Sequence, residues 1–430
     1  MRFISPGPCV IGLACSAVWM PTAFADFIGD SQGKLTLLNY YLNSDLRDEV
    51  SSAPNQKSKA EEWAQGFMLD LTSGYTEGVV GFGLDLRGML GVRLDSSPDR
   101  SGSGLLPQES SAVAGGPSYA KRAQSEYGKL GVTGKMRFAQ SEVHIGSMSP
   151  INPLFVSNGT RLFPQTFLGT ELQSKDIDNL VITAGQLNEV KQRDSTDFQK
   201  ITTTTLNGRF AATQASDHFR YAGADYRFAP NLTGSLYYGE LSDAYRQEYA
   251  ALKYTHPVGP GTASAEVRLF NASDAGAAYA GNVDNQAVSS NFGYRIGAHS
   301  FSAGYQRLYG DTAMPFLNGS ATYLFTDILI NNFSEANERA WYARYDIDFA
   351  EFGLPGLTLS NRYVSASDAT VGGVSGYAEW ERNTDIGYAF QKGSRLENFS
   401  VKLRNGSYRS QFTRGVDQTR LMLSYTLPLF

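Results

Sequence analysis

The 430-residue chain has only two cysteines, Cys9 and Cys15, and both lie within its first 25 residues. Those residues read as a secretory signal peptide. Arg2 is the charged start, an apolar stretch runs from Cys9 to Met20, and Ala23-Phe24-Ala25 supplies a small-x-small cleavage site before Asp26. Residues 26–430 then hold no cysteine, which excludes disulfides and thiolate metal sites from them. Charge is scarce too: 18% of residues, against roughly 25% in soluble globular chains. Past residue 25 no apolar run approaches the ~18 residues that a spanning helix needs, so a polytopic helical membrane protein is excluded. The formal net charge is −5, or −6 without Arg2.

Glycine and aromatics take the place of charge, with 44 Gly, 24 Tyr and 25 Phe. Low charge, many glycines, many aromatics and no long apolar run together fit a transmembrane β-barrel, whose strands are apolar at every second residue. The clearest segment is 79–94. Val80, Phe82, Leu84, Leu86, Leu90, Val92 and Leu94 alternate there with Gly81, Gly83, Asp85, Arg87, Gly91 and Arg93. Such a length exceeds the ~5–6 residues of a typical soluble strand. Because a basic side chain facing lipid costs about 2–4 kcal/mol at the bilayer midplane, Arg87 is expected to face the lumen. The same alternation recurs in 130–138, 341–349, 401–404 and 420–427.

Counting each alternating run as a strand predicts an all-β, single antiparallel transmembrane barrel of about 18 strands over residues 26–430. The strands begin near residues 35, 61, 76, 125, 141, 166, 180, 217, 232, 245, 261, 287, 299, 338, 356, 376, 396 and 417. Short turns such as Ser73-Gly74-Tyr75 and Pro230-Asn231 then alternate with long loops such as 95–124, 150–165, 195–216 and 311–337, as outer-membrane barrels require. An even strand number puts both termini on the periplasmic side. Arg382 shares the lipid-side parity of Trp380 and Ile386, so either it sits at the outer rim or a bulge shifts the register.

A barrel of this size encloses an aqueous channel unless something narrows it. Two apolar, proline-bearing segments, 148–164 and 314–330, are suited to folding inward as a constriction; the alternative is a lid or subunit contact outside. Inward-facing basic residues include Lys129, Lys135, Arg137, Arg193, Arg344, Arg362, Lys402, Arg404 and Arg420, opposed by Asp85, Glu189, Asp346 and Glu381. The chain carries no H-E-x-x-H, G-x-S-x-G or P-loop motif, and its four histidines fall in no catalytic pattern. An enzyme is therefore disfavoured, and no cofactor, metal or nucleic acid is indicated. A less selective general porin and a structural or adhesive barrel stay as alternatives, with an outer-membrane hydrolase far behind them.

Several segments resemble the OprD-type outer-membrane carboxylate channels of pseudomonads: Glu61-Glu62-Trp63-Ala64-Gln65-Gly66-Phe67, Gly78-Val79-Val80-Gly81-Phe82-Gly83-Leu84-Asp85, Gly159-Thr160-Arg161-Leu162-Phe163-Pro164-Gln165-Thr166, Gly353-Leu354-Pro355-Gly356-Leu357-Thr358 and Thr419-Arg420-Leu421-Met422-Leu423-Ser424-Tyr425. The resemblance spans the whole chain. It implies an 18-stranded barrel, alone or in a loose homotrimer, with a narrow pore in which a column of basic side chains guides a carboxylate. By the same resemblance Arg161 and Arg193 match the constriction, and Lys402, Arg404 and Arg420 match the column. Arg47 and Arg307 are further candidates, although Arg307 has lipid-side parity unless the strand top is bulged. Arg344 and Arg362 join them from the parity reading. Where the family often has arginine in the first strand, this chain has Leu38 and Ser44, which shortens the column at that wall. The partners implied are small carboxylate nutrients, outer-membrane lipid and lipopolysaccharide, and the barrel-assembly machinery through the C-terminal Phe430.

Overall fold

The computed structural model describes residues 27–47, 57–212 and 214–430; the segment 1–25, expected to be a signal peptide, lies outside them. Eighteen antiparallel strands close into a barrel. They are β1 (Gln32–Leu46), β2 (Lys59–Thr72), β3 (Val80–Ser96), β4 (Glu126–Phe138), β5 (Ser141–Met148), β6 (Thr166–Ile177), β7 (Leu180–Lys191), β8 (Phe219–Ala229) and β9 (Leu232–Leu241). The second half comprises β10 (Tyr245–Val258), β11 (Gly261–Asp274), β12 (Asp284–Ile296), β13 (His299–Tyr309), β14 (Arg339–Asp348), β15 (Leu357–Val371), β16 (Val374–Ala389), β17 (Phe399–Ser410) and β18 (Val416–Pro428). Each strand pairs with its chain neighbours. β1 closes the ring on β18 from Lys34↔Pro428 to Leu46↔Val416. Closure leaves no open edge, which is what a sheet in hydrocarbon requires, since lipid satisfies no backbone hydrogen bond.

Parity works as the alternation predicts. Phe82, Leu84, Leu90 and Leu94 point outward and are exposed, whereas Met89 between them is buried inside. Inside the wall, Arg87 bonds Asp70, and Lys135 bonds Asp85 at 2.7 Å. One inward assignment needs correction. A bulge between Leu187 and Glu189 in β7 turns Val190, not Glu189, onto the packed inner face. The C-terminus meets the first strand: Gly33 N–H donates to the Phe430 carbonyl at 3.2 Å. A Cβ at Gly33 would lie 2.8 Å from the tip of the Phe430 ring, so a larger residue there would displace that ring.

The long loops fall at the end opposite the termini, and two of them fold into the barrel. The third outer loop, residues 149–165, buries Leu154 and Phe155 against Phe167, Phe219 and Tyr221 of the inner wall. Leu162 and Phe163 of the same loop pack with Tyr40, Leu42, Leu105, Leu106 and Tyr127. The seventh, residues 310–338, packs Met314, Leu317 and Leu324 into the first of these clusters, and Phe325, Ile328, Ile330 and Phe333 against Tyr342, Val364 and Tyr408. The loops also meet each other through the Val156↔Ala321 bridge and the Gln165 amide, which donates to Asn318 O at 3.1 Å. Constriction, not an external lid, is the arrangement observed.

Candidate functional site: a basic path through the constriction

The third loop enters the lumen because β2 and β3 offer it room. Ala64 and Gly66 face inward on β2 and Gly91 faces inward on β3. A Cβ at Gly66 would stand 3.0 Å from Leu162 and 3.2 Å from Phe163; one at Gly91 would stand 3.0 Å from Leu162. The apolar pair Leu162-Phe163 occupies these seats. The peptide just before it, Thr160-Arg161, is thereby carried out over the pore.

Thr160 is the hub of the site. Its carbonyl accepts from Arg161 Nη1 and from Arg420 Nη1, both at 3.1 Å, and from Tyr40 Oη at 3.1 Å. Its hydroxyl accepts from Arg193 Nη1 at 2.8 Å. Three guanidiniums from a loop, a strand exit and a strand thus converge on one residue. Each has a second acceptor: Ser103 O at 2.9 Å for Arg161, Asn158 Oδ1 at 3.2 Å for Arg193 and Leu329 O at 2.7 Å for Arg420. These acceptors are all neutral, so the positive charge is held in place by groups that do not cancel it, with Asp194 the nearby carboxylate that offsets part of it at Arg193 and Arg161. Burial, then mutual repulsion with Arg193, lowers the Arg161 guanidinium to about 10, and burial lowers Arg193 as well. Both stay charged at neutral pH. Arg161 and Arg193, with Asn158, Thr160 and residues of the seventh loop, line a cavity of about 370 Å³.

Below this eyelet the charge continues down the wall. Arg404 of β17 is paired across the strands with Arg420 of β18. Arg404 Nε donates to Asp385 at 2.9 Å, and Lys402, one inward step lower, reaches the same carboxylate at 4.0 Å. Across a second cavity of about 320 Å³ at the periplasmic mouth, Lys402 faces Arg344 and Asp346. Arg344 bonds Asp346 at 2.8 Å. Arg362, opposite Arg344 in register, is half-buried, donates to Phe325 O and lies 5.1 Å from the Tyr342 ring.

Two sequence candidates do not belong to this path. Arg307 lies outside the barrel, because neither of its strand pairings is shifted near it while its neighbours Gln306 and Leu308 are wholly buried inside. Arg47, at the outer rim, follows the outward parity of Asn43 and Asp45 and bonds Asp45 and Asp417, each at 2.9 Å. Arg382 likewise faces outward, with no bulge between Leu357↔Tyr388 and Ala366↔Glu379. On β1 the inner positions Tyr40, Leu42 and Ser44 are buried and uncharged, so that wall contributes no column residue.

Lumen arginines escaped the sequence reading: Arg295 of β12 lines the mouth cavity, and Arg268 reaches the seventh loop. Arg268 of β11 donates to Glu266 at 2.6 Å and to Tyr323 O at 2.5 Å, and stacks 3.9 Å from the Tyr323 ring. The alternation of exposed Val267 and Leu269 about it marked it as inward. Among the described residues no cluster of three or more His, Cys, Asp or Glu is arranged to hold a metal.

The family model described as "outer membrane porin, OprD family" matches residues 25–429. The porin-like protein GalP of Pseudomonas putida is 33% identical over 98% of each chain. The crystal structure of OccK9 (OpdG) from Pseudomonas aeruginosa, 41% identical, superposes with a TM-score of 0.87 over 94% of this chain and all of that one. OpdK of the same organism, solved with vanillate, is 40% identical with a TM-score of 0.85 over the same shares.

Proposed function

The chain belongs to the OprD family of outer-membrane porins, and from that premise we propose that it conducts small carboxylates passively along the basic path. The observation that carries this reading is the convergence of Arg161, Arg193 and Arg420 on Thr160 at the loop eyelet, with Arg404 and Lys402 below. A guanidinium presents a planar fork of donors that matches a carboxylate. A single deep site would trap its solute, whereas successive shallow ones let it advance. Asp385 and Asp346 keep the lower steps shallow by sharing Arg404, Lys402 and Arg344. Arg362 and Arg344 form the opposite side of the same descent. That OpdK was solved with vanillate, an aromatic carboxylate, supports this substrate class.

Single-channel recording and liposome uptake with a panel of carboxylates test the reading. Arg161→Ala and Arg404→Ala should each slow carboxylate uptake severalfold while sugar permeation is unchanged or rises. Unchanged carboxylate uptake in both variants means the basic path does not select the solute. A uniform rise for every solute favours the less selective general porin.

A further inference from the structure

Arg307 of β13 and Arg339 of β14 are direct cross-strand partners on the outer surface of the barrel, at the loop end of their strands. Like charges directly opposite on a sheet repel, and a lipid-side arginine is itself costly. Compensation within the chain is incomplete. Asp368 pairs with Arg339 and also senses Arg307, which leaves two guanidiniums to one carboxylate. Arg307 stacks 5.1 Å from the Tyr309 ring, and its buried Nε has no hydrogen-bond partner.

Beneath this pair the outward ladder descends in register: Tyr305 opposite Trp341, then Ala303 opposite Ala343, then Phe301 opposite Tyr345. The two alanines between aromatic rungs open a groove of about 720 Å³ in the wall, bounded by Phe292, Phe301, Tyr345 and Tyr363, with Arg382 along its edge. Four residues separate the arginine rung from the alanine rung. At ~3.3 Å per residue this is about 13 Å along the strands, the order of separation between a lipid headgroup and the upper part of its acyl chain.

A groove alone would not single out this face. A second outward crevice, of about 510 Å³, lies over β8 to β11 and is edged by Glu248. The cross-strand row above it reads Arg220, Glu240, Arg246, Ser273, Asp284, so its two cations and two carboxylates alternate and balance. Only the first groove of this pair couples an apolar slot to surplus positive charge.

We propose that the β13–β15 face binds a phosphorylated, multiply acylated lipid of the outer leaflet, the lipid A portion of lipopolysaccharide. A phosphate lies between Arg307 and Arg339, Tyr305 and Trp341 pack against the sugar level, and an acyl chain fills the Ala303–Ala343 slot. Guanidiniums hold phosphate oxygens bidentately, and an anion there relieves the repulsion the pair otherwise carries.

The test uses the full-length protein extracted from lipopolysaccharide-containing outer membranes, washed in detergent and analysed by native mass spectrometry for retained lipid A. The wild-type protein should retain it. The double variant Arg307→Ser/Arg339→Ser should lose most of it, and Ala343→Phe, which fills the slot and leaves both arginines, should lose it as well. Single-channel conductance of both variants reports that the barrel is intact. Retention equal to wild type in both variants overturns the proposal. So does wild-type retention of phosphatidylglycerol or dephosphorylated lipid A equal to that of lipid A, or efficient crosslinking of Trp341→Cys to a second copy in native membranes.

Discussion

The third and seventh loops narrow the same lumen but are held there by different chemistry. The third is seated by shape, with Leu162 and Phe163 pressed onto Gly66 and Gly91. The seventh has apolar seating too, but is tied in addition by charge and hydrogen bonds. Both carboxylate oxygens of Glu381 on β16 accept its backbone, from Ile330 N at 3.0 Å and Asn331 N at 2.9 Å. Arg209 of the fourth loop clasps Glu335 at 2.7 Å, with both groups almost wholly buried. Apolar seating is indifferent to protonation, whereas a buried carboxylate latch is not. One wall of the constriction is therefore a fixed fitting and the other a chemically adjustable one.

The largest effect should come from cutting the latch. Glu381→Ala leaves two part-buried N–H groups without acceptors, at a cost of up to about 1–3 kcal/mol each. The seventh loop should then spend much of its time outside the lumen, raising single-channel conductance severalfold while the heat resistance of the barrel stays unchanged. A conductance within error of wild type would break the comparison, because the loop would be held by its apolar contacts alone.

The matching change to the third loop should do less. Gly66→Val places a branched side chain where even a Cβ comes within 3.0 Å of Leu162. Overpacking of this kind typically costs about 1–3 kcal/mol. It should shift the Thr160-Arg161 peptide without releasing the loop, so carboxylate preference falls while conductance changes modestly. If Gly66→Val instead opened the channel as far as Glu381→Ala, shape would be the weaker fastening and the contrast would reverse.

How far this contrast was legible in the sequence follows from how local each signal is. Strand starts predicted from alternation lie within four residues of those observed, because a two-residue period and a turn are both local. Arg307 is instructive: its parity pointed outward and the family resemblance pointed to the pore, and the unshifted register decides for parity. Leu162 and Phe163 were readable as apolar residues out of place in a surface loop. Thr160 was not readable as a hub. Its partners lie 33 and 260 residues away in Arg193 and Arg420, and nothing in a threonine's neighbours announces that its carbonyl will be shared. The Glu381 latch stayed hidden for the same reason, since its acceptors are used by backbone groups 50 and 51 residues distant.

The smallest expected effect concerns Asp327, inside the seventh loop. Its Oδ2 accepts from Thr322 N at 2.7 Å and Thr322 Oγ1 at 2.9 Å. Burial raises its pKa to about 6, against the lowering effects of those bonds and of Arg362 and Arg209. The inward fold therefore binds the proton more tightly than a released loop, whose aspartate titrates near 3.8. The stabilisation from this group is complete below pH 3.8 and is lost as pH rises through about 6. Open-channel noise from the loop should accordingly increase between pH 4 and pH 7. Asp327→Asn keeps an acceptor for Thr322 but cannot ionise, so the variant should be as quiet at pH 7 as the wild-type channel is at acid pH. A pH-dependent noise that survives in Asp327→Asn would place the titrating group elsewhere, with the buried Glu338 at the foot of the same loop next in line, since burial and then the neighbouring Glu379 carboxylate raise it well above the ordinary range.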